Sequence, residues 1–325
     1  MKKSNVLVSA PGKLMLFGEH AVLYGNPCIV TAVDQRVYVN VEKVGGESIK
    51  INAPELKIDN YSIKVSDLGG VDYPKEVKFV LKAIEVFFKK YKIVSGLKID
   101  TKSDFSSLFG FGSSSAVTVC MVKALSEIFD IEVDNKSLFD ICFKVVLEVQ
   151  GVGSGFDIAA AVWGGTIYFV RGGKVIKPLK ISRLPLVVGY TGIKADTTTL
   201  VQKVAKLYKS HEKKIGEIFA SIRVIVEKAK IALENTDYLK LGELMDENQK
   251  LLEDLSISSI ELGSLTKAAR RAGALGAKLS GAGGGDCMVA LANKSKTAKI
   301  REAIEKSGGV IIDVKFNTEG VRIEK

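Results

Sequence analysis

The run Phe109-Gly110-Phe111-Gly112-Ser113-Ser114-Ser115-Ala116 passes straight into the apolar repeat Val117 to Leu125. Glycines, then serines, then helical spacing describe a loop that opens a helix. Gly110 and Gly112 permit positive φ and a close approach to the backbone. The serines stand where the helix begins, so their hydroxyls can cap it. The first N–H groups of a helix lack intrahelical partners, and with the helix dipole they form an anion site. Taken alone, an ordinary loop capped by Ser113 would read the same way. No Gly-Lys-Ser/Thr follows, so this is not a Walker A loop, and the glycine spacing is not that of a dinucleotide fold.

Two more runs of small residues occur. Gln150 to Ala161 carries Gly151, Gly153 and Gly155 just ahead of Asp157, and Lys278 to Cys287 carries Gly281, Gly283, Gly284 and Gly285. So many glycines lose backbone entropy on folding. A helix-to-strand turn would be served by fewer. The expectation is a second loop passing close to a phosphate chain.

Around these runs the pattern is α+β. Strands are expected at Val6–Ala10, Lys13–Phe17 after a break at Pro11-Gly12, Ile29–Val33, Val37–Val41, Leu97–Ile99 and Thr166–Val170, with weaker ones at Ile49–Ile51 and Tyr61–Val65. Helices are expected from Val77 to Tyr91, from the serines to Phe129, and from Ser137 to Val149. A strand at Leu184–Tyr190 precedes long amphipathic helices at about Thr198–Leu233, Tyr238–Leu255 and Ile260–Ala272. Strands at Met288–Leu291 and Val310–Phe316 flank a helix over Lys296–Lys306. The change of pattern divides the chain into 1–185 and 186–325.

Bulk properties exclude several classes. The 325 residues are 46% hydrophobic and 26% charged, a globular balance. No apolar run reaches the roughly 18 residues that span a bilayer. The start, Met1-Lys2-Lys3-Ser4-Asn5, leads into an alternating run and not a signal-peptide core, so a cytoplasmic protein is expected. Cys28, Cys120, Cys142 and Cys287 are scattered in apolar surroundings, as buried reduced thiols would be. With two histidines, a His-based metal site is not expected. The net charge of +10 is mostly lysine and suits a polyphosphate substrate or a solvated surface. The aromatic-basic interleaving of single-strand binders is absent.

Phosphoryl transfer to an alcohol needs phosphate-cradling amides, a magnesium ligand, a positioned hydroxyl and charge neutralisation. Asp157, behind small residues and ahead of an apolar helix, reads either as a charge favoured by the helix dipole or as a base that orients a hydroxyl. Lys13 reads as an exposed strand residue, or as a partner that keeps Asp157 ionised if the two face each other. Glu19 and His20 follow Gly18 in a turn and by themselves are polar loop residues.

Together these stretches resemble the GHMP kinase superfamily, named for galactokinase, homoserine kinase, mevalonate kinase and phosphomevalonate kinase. Ala10 to Lys13 with Gly18 to Gly25 is similar to the first motif of its mevalonate kinases, Gly110 to Ala116 to the ATP loop, and Lys278 to Cys287 to the third motif. The resemblance implies a two-domain fold, with a ribosomal-protein-like α/β domain followed by a ferredoxin-like α+β domain. It implies ATP over Gly110, Phe111, Gly112, Ser113, Ser114 and Ser115, joined by Gly283 and Gly284. It implies Mg2+ near Ser114 and a catalytic pair of Lys13 and Asp157. Glu19, His20, Thr197, Ser280 and Gly281 fall at acceptor positions. Where mevalonate kinases carry a magnesium-binding glutamate, this chain has Val146, so Glu148 becomes the candidate carboxylate. Gln150 replaces a histidine. The run Gly153 to Asp157 and the ending Gly285-Asp286-Cys287 are closer to phosphomevalonate kinases, whereas the first motif and the helices from Leu241 to Ala274 favour mevalonate. A phosphorylated acceptor would need further cations in the pocket, and Lys194 and Arg36 are the candidates. The third reading is a GHMP-like module that has lost catalysis or binds RNA, against which Lys13, Ser114 and Asp157 are all retained. The implied partner is a small molecule, mevalonate or phosphomevalonate, with no nucleic acid and no membrane; a homodimer is left open.

Overall fold

The computed structural model describes residues 4–106, 108–181 and 183–324. Met1 to Lys3, part of the start read above, lie outside them. The first half runs β1 (Asn5–Phe17), β2 (Pro27–Val44), β3 (Ser48–Ala53), β4 (Ile58–Lys64), α1 (Lys78–Tyr91), β5 (Gly96–Ser103), α2 (Ser113–Ile128), α3 (Asn135–Gln150), α4 (Phe156–Trp163), β6 (Thr166–Val170) and β7 (Val175–Leu179). The second half runs β8 (Leu186–Tyr190), α5 (Thr197–Ser210), α6 (Glu212–Glu234), α7 (Tyr238–Asp254), α8 (Ile260–Arg271), β9 (Gly276–Ser280), β10 (Cys287–Leu291), α9 (Thr297–Lys306), β11 (Val310–Ile312) and β12 (Arg322–Ile323).

Two sheets organise the molecule. The first has the order β12-β1-β2-β5-β3-β4, with β6 also paired to β2 and β7 to β6. All its pairings are antiparallel except β3 with β5. The second, β11-β8-β10-β9, is antiparallel throughout. Its first strand begins at Leu186. The chain's end returns to the first sheet, through a bridge between Phe316 and Val33 and through β12.

The apolar character of α2 follows from its place. It packs on β1 and β2 with one face and on α1 and α3 with the others. Val119, Cys120, Met121, Val122, Ala124 and Leu125 are therefore all buried, as a helix enclosed on several sides requires. This packing fixes the direction of α2, and so the point to which its N-terminus is aimed. All four cysteines are free and buried. Among the described residues no helix is long and apolar enough to cross a membrane.

Several boundaries differ from the sequence expectation, each for a local reason. The break at Pro11-Gly12 is a register shift within the continuous strand β1. There the Lys13 N–H leaves the ladder and donates to Phe111 O at 2.9 Å. The two strands expected across 29–41 are one strand, β2, with the irregularity opposite the same point. The helix expected over 198–233 is two, divided at His211 with φ −138°. Ser210 Oγ there contacts Lys206 O, Leu207 O and His211 Nδ1, a local side-chain alternative to the helical ladder. The last strand stops at Ile312 instead of Phe316 because the chain crosses between sheets. The strands β7, β9 and β12 had no strong local pattern. Wholly buried β9 reads Gly-Ala-Lys-Leu-Ser, poor in β-formers, and its place comes from pairing with β10 and cover from α7 and α8.

Candidate active site

A cleft of about 900 Å³ opens between the two halves. The N-terminus of α2 reaches it, with Gly110, Gly112, Ser113, Ser114 and Ser115 on its wall. The N-cap of α2 is Gly112, φ 77°, and it makes no side-chain capping bond. The serines are thus first-turn residues and not caps. Their hydroxyls are left for the cleft, where the first amides of a helix also point. Phe111 is turned the other way. It is 1% exposed and packs near Phe105 and Phe109, so its carbonyl holds the Lys13 amide while its ring anchors the loop.

Lys13 and Asp157 meet at this point. Lys13 Nζ lies 3.1 Å from Asp157 Oδ1, donates to Gly110 O at 2.9 Å and stands 5.4 Å from the Phe156 ring centre. Asp157 Oδ1 is buried without an aligned hydrogen bond, so the contact is an ion pair and not a directed bond. Its side chain is still 31% exposed to the cleft. Asp157 sits in the first turn of α4, behind Gly155 with φ 94°, where the helix dipole favours an anion. Gly112 makes room for the pair. A Cβ there would stand 3.1 Å from Lys13 Cε and 3.5 Å from Asp157 Oδ1.

His20 and Thr197 also line the cleft, with Gly281. His20 is 5% exposed with φ 56°. Its Nε2 lies 2.9 Å from Ala282 O, and Nδ1 has no partner. Burial lowers its pKa from the ordinary 6.5, partly opposed by the Ala282 carbonyl. Thr197 opens α5, whose cap is Asp196 accepting the Thr199 N–H at 3.1 Å.

Five of the sequence candidates stand elsewhere. Glu19 is sealed from solvent in an ion pair with Lys278, which also donates to Leu279 O at 2.5 Å. Burial pushes the Glu19 carboxyl up and the Lys278 ammonium down, each partly offset by its partner. Ser280 Oγ accepts Met15 N–H at 3.0 Å and donates to Met15 O at 2.9 Å, latching β9 to β1. Gly283 and Gly284 pack against the protein itself. A Cβ at Gly283 would lie 2.2 Å from Ile257 O, and one at Gly284 would lie 2.8 Å from Leu200 Cδ1. The crowded backbone by itself requires glycine at both positions. Glu148 lies 3.7 Å from Lys82 Nζ and 3.8 Å from Lys144 Nζ, while Val146 and Gln150 of the same helix line the cleft. Of the two cations examined for a phosphorylated acceptor, Lys194 lines the cleft. Arg36 does not. It is 4% exposed and donates to Ser9 Oγ, Ser9 O, Glu319 O and Gly320 O.

Sequence reasoning missed the apolar wall formed by Val77, Phe79, Val80 and Val117. No local signal marks it, because those residues also satisfy the core pattern of α1 and α2. It also missed Asp286, whose carboxyl faces Gly110.

The chain is similar to known proteins over nearly its whole length. Residues 78–165 match the model described as GHMP kinases N terminal domain, residues 229–310 that described as GHMP kinases C terminal, and residues 1–43 a galactokinase galactose-binding signature. A mevalonate kinase of Pyrococcus abyssi is 38% identical over 98% of both chains. The crystal structure of Methanococcus jannaschii mevalonate kinase superposes with a TM-score of 0.83 at 26% identity, covering 97% of this chain and 99% of that one. The L. major mevalonate kinase in complex with R-mevalonate superposes with a TM-score of 0.79 at 27% identity, covering 98% and 99%.

Proposed function

The chain belongs to the GHMP kinase family, on its mevalonate kinase branch, and from that premise we propose that it transfers the γ-phosphoryl group of ATP to the primary hydroxyl of mevalonate. The observation that carries the chemistry is the Lys13–Asp157 contact beside the N-terminus of α2. Asp157 orients the hydroxyl and takes its proton as the oxygen–phosphorus bond forms. Lys13 holds the carboxylate in place and offsets the charge that develops on the transferred group. The first-turn amides of Ser113, Ser114 and Ser115 receive the phosphates. The wall of Val77, Val80 and Val117 suits the flat apolar face of a nucleotide base.

Magnesium fits the site in part. Ser114 offers a hydroxyl at the cleft, and a magnesium ion commonly takes its remaining ligands from phosphates and water. Glu148, held between two lysines, does not complete the set. When bound, the ion would neutralise phosphate charge.

The acceptor follows from the relatives and from Arg36. A phosphorylated acceptor needs cations beyond those facing ATP, and of the two candidates only Lys194 lines the cleft, while Arg36 is committed to Ser9 and the chain's end. A coupled ADP-release assay with mevalonate and phosphomevalonate side by side tests the reading. Turnover is expected with mevalonate and only background with phosphomevalonate. The reverse result would transfer the assignment to the phosphorylated acceptor.

A further inference from the structure

Asp286 is held at two penalties that a glycine would avoid. Its φ is 55°, in the left-handed region, like the neighbouring Gly281, Gly283 and Gly284; such backbone is strained for an L side chain. It is also only 9% exposed. Burial pushes its carboxyl above the ordinary carboxylate range, against the Ala195 amide and the charges of Lys13 and Lys194.

What the side chain does is hold two loops together. Asp286 Oδ1 accepts the Ala195 N–H at 2.8 Å, and its own N–H donates to Ile193 O at 2.7 Å. Its carbonyl accepts the Thr191 N–H at 3.0 Å and the Thr191 hydroxyl at 3.1 Å. Lys194 lies between two of these anchor points and lines the cleft. The other carboxyl oxygen rests on Gly110, where a Cβ would come too close to it. Gly110 is the residue whose carbonyl takes Lys13 Nζ. One carboxyl therefore touches both the phosphate loop and the turn that presents Lys194.

We propose that Asp286 is a positioning residue, which fixes the turn of residues 193–195 against the phosphate loop so that Lys194 meets the anionic end of the acceptor while its hydroxyl lies at Asp157. The role of Lys194 rests on the kinase reading above; the clamp itself does not. Asp286 carries no phosphate and touches no reacting atom.

Two variants separate the clamp from a general structural role. Asp286→Gly suits the backbone and removes the carboxyl, whereas Asp286→Asn keeps an oxygen for the Ala195 N–H. In the glycine variant the Ala195 amide is expected to exchange with solvent about tenfold faster, and the mevalonate KM to rise about tenfold. The ATP KM and kcat should stay within about threefold, because the contact with Gly110 is only van der Waals, and Tm should not fall, because relief of the left-handed backbone offsets the lost Ala195 hydrogen bond. The asparagine variant should recover most of both losses. Lys194→Met should raise the mevalonate KM without changing exchange at Ala195. Unchanged exchange in Asp286→Gly overturns the clamp, whatever the wild-type enzyme phosphorylates. Faster exchange with an unchanged mevalonate KM, or with both KM values rising together, overturns its role in placing Lys194. An inactive wild type would instead count against the kinase reading alone.

Discussion

Two lysine–carboxylate pairs tie β1 and its end to distant segments, and they differ in what water can reach. Lys13 and Asp157 stand at the edge of the cleft, with side chains 10% and 31% exposed. Lys278 and Glu19 are both 0% exposed, and Glu19 Oε2 has no partner. A reactive carboxylate must be open to substrate on one side and supported on the other. The first pair has that asymmetry. The second has no open side. It joins β9 of the second sheet to the turn after β1, close to the latch of Ser280 on Met15. The same residue types thus stand open to a cleft in one place and sealed in the joint between the two halves in the other, and the proposed chemistry falls to the open pair.

The comparison can be broken most directly at Asp157. Asp157→Asn keeps the shape and removes the charge. Turnover is expected to fall about a thousandfold, within the range for a lost general base, while nucleotide binding and Tm survive. Unchanged turnover in the coupled assay would mean that the open pair is structural too. The converse holds for Lys278→Met, which leaves Glu19 alone in a sealed site. Urea unfolding should show a loss of about 3–5 kcal/mol, and Glu19→Gln in the same chain should regain most of it. A small stability change with a large loss of turnover would move the sealed pair into the chemistry.

His20 follows Glu19 in the chain, lines the cleft that holds Lys13 and Asp157, and offers the finest test. Its pKa is depressed below 6.5 by burial. The unfolded chain therefore takes up a proton at a higher pH than the folded one does. The stability this histidine contributes is full above pH 6.5 and is lost as the pH falls through the folded value. Tm should decline between pH 6.5 and 5 more steeply in the wild type than in His20→Asn, a residue that tolerates positive φ. Parallel Tm curves would show that His20 is not held neutral.

Much of the scaffold was legible because it is written in local patterns. The spacing of Val80, Leu81, Ile84, Phe87 and Phe88 marks α1, and the β-branched content of residues 29–41 marks β2. The Gly-Ser run was readable as the mouth of α2, although Gly112 and not a serine turned out to be the cap. Of the site, the small residues before Asp157 and the lysine in an apolar strand drew attention to two positions that meet in one cleft. Glu19 and Ser280 were read toward the substrates and lie within the joint, and Gly283 and Gly284 pack on Ile257 and Leu200, because a motif names residues without stating which way they face.

Periodicity, glycine placement and charge are properties of neighbours along the chain, so the sequence alone determined most helices, most strands and the glycine-serine loop that opens α2. Burial and facing are properties of residues far apart in the chain. Only the tertiary structure brought Lys13 to Asp157, sealed Glu19 against Lys278, turned Glu148 toward two lysines and set Asp286 on Gly110. Apart from the Lys144–Glu148 pair within α3, each of these depends on how helices and sheets distant in sequence pack together, and no local pattern encodes that packing.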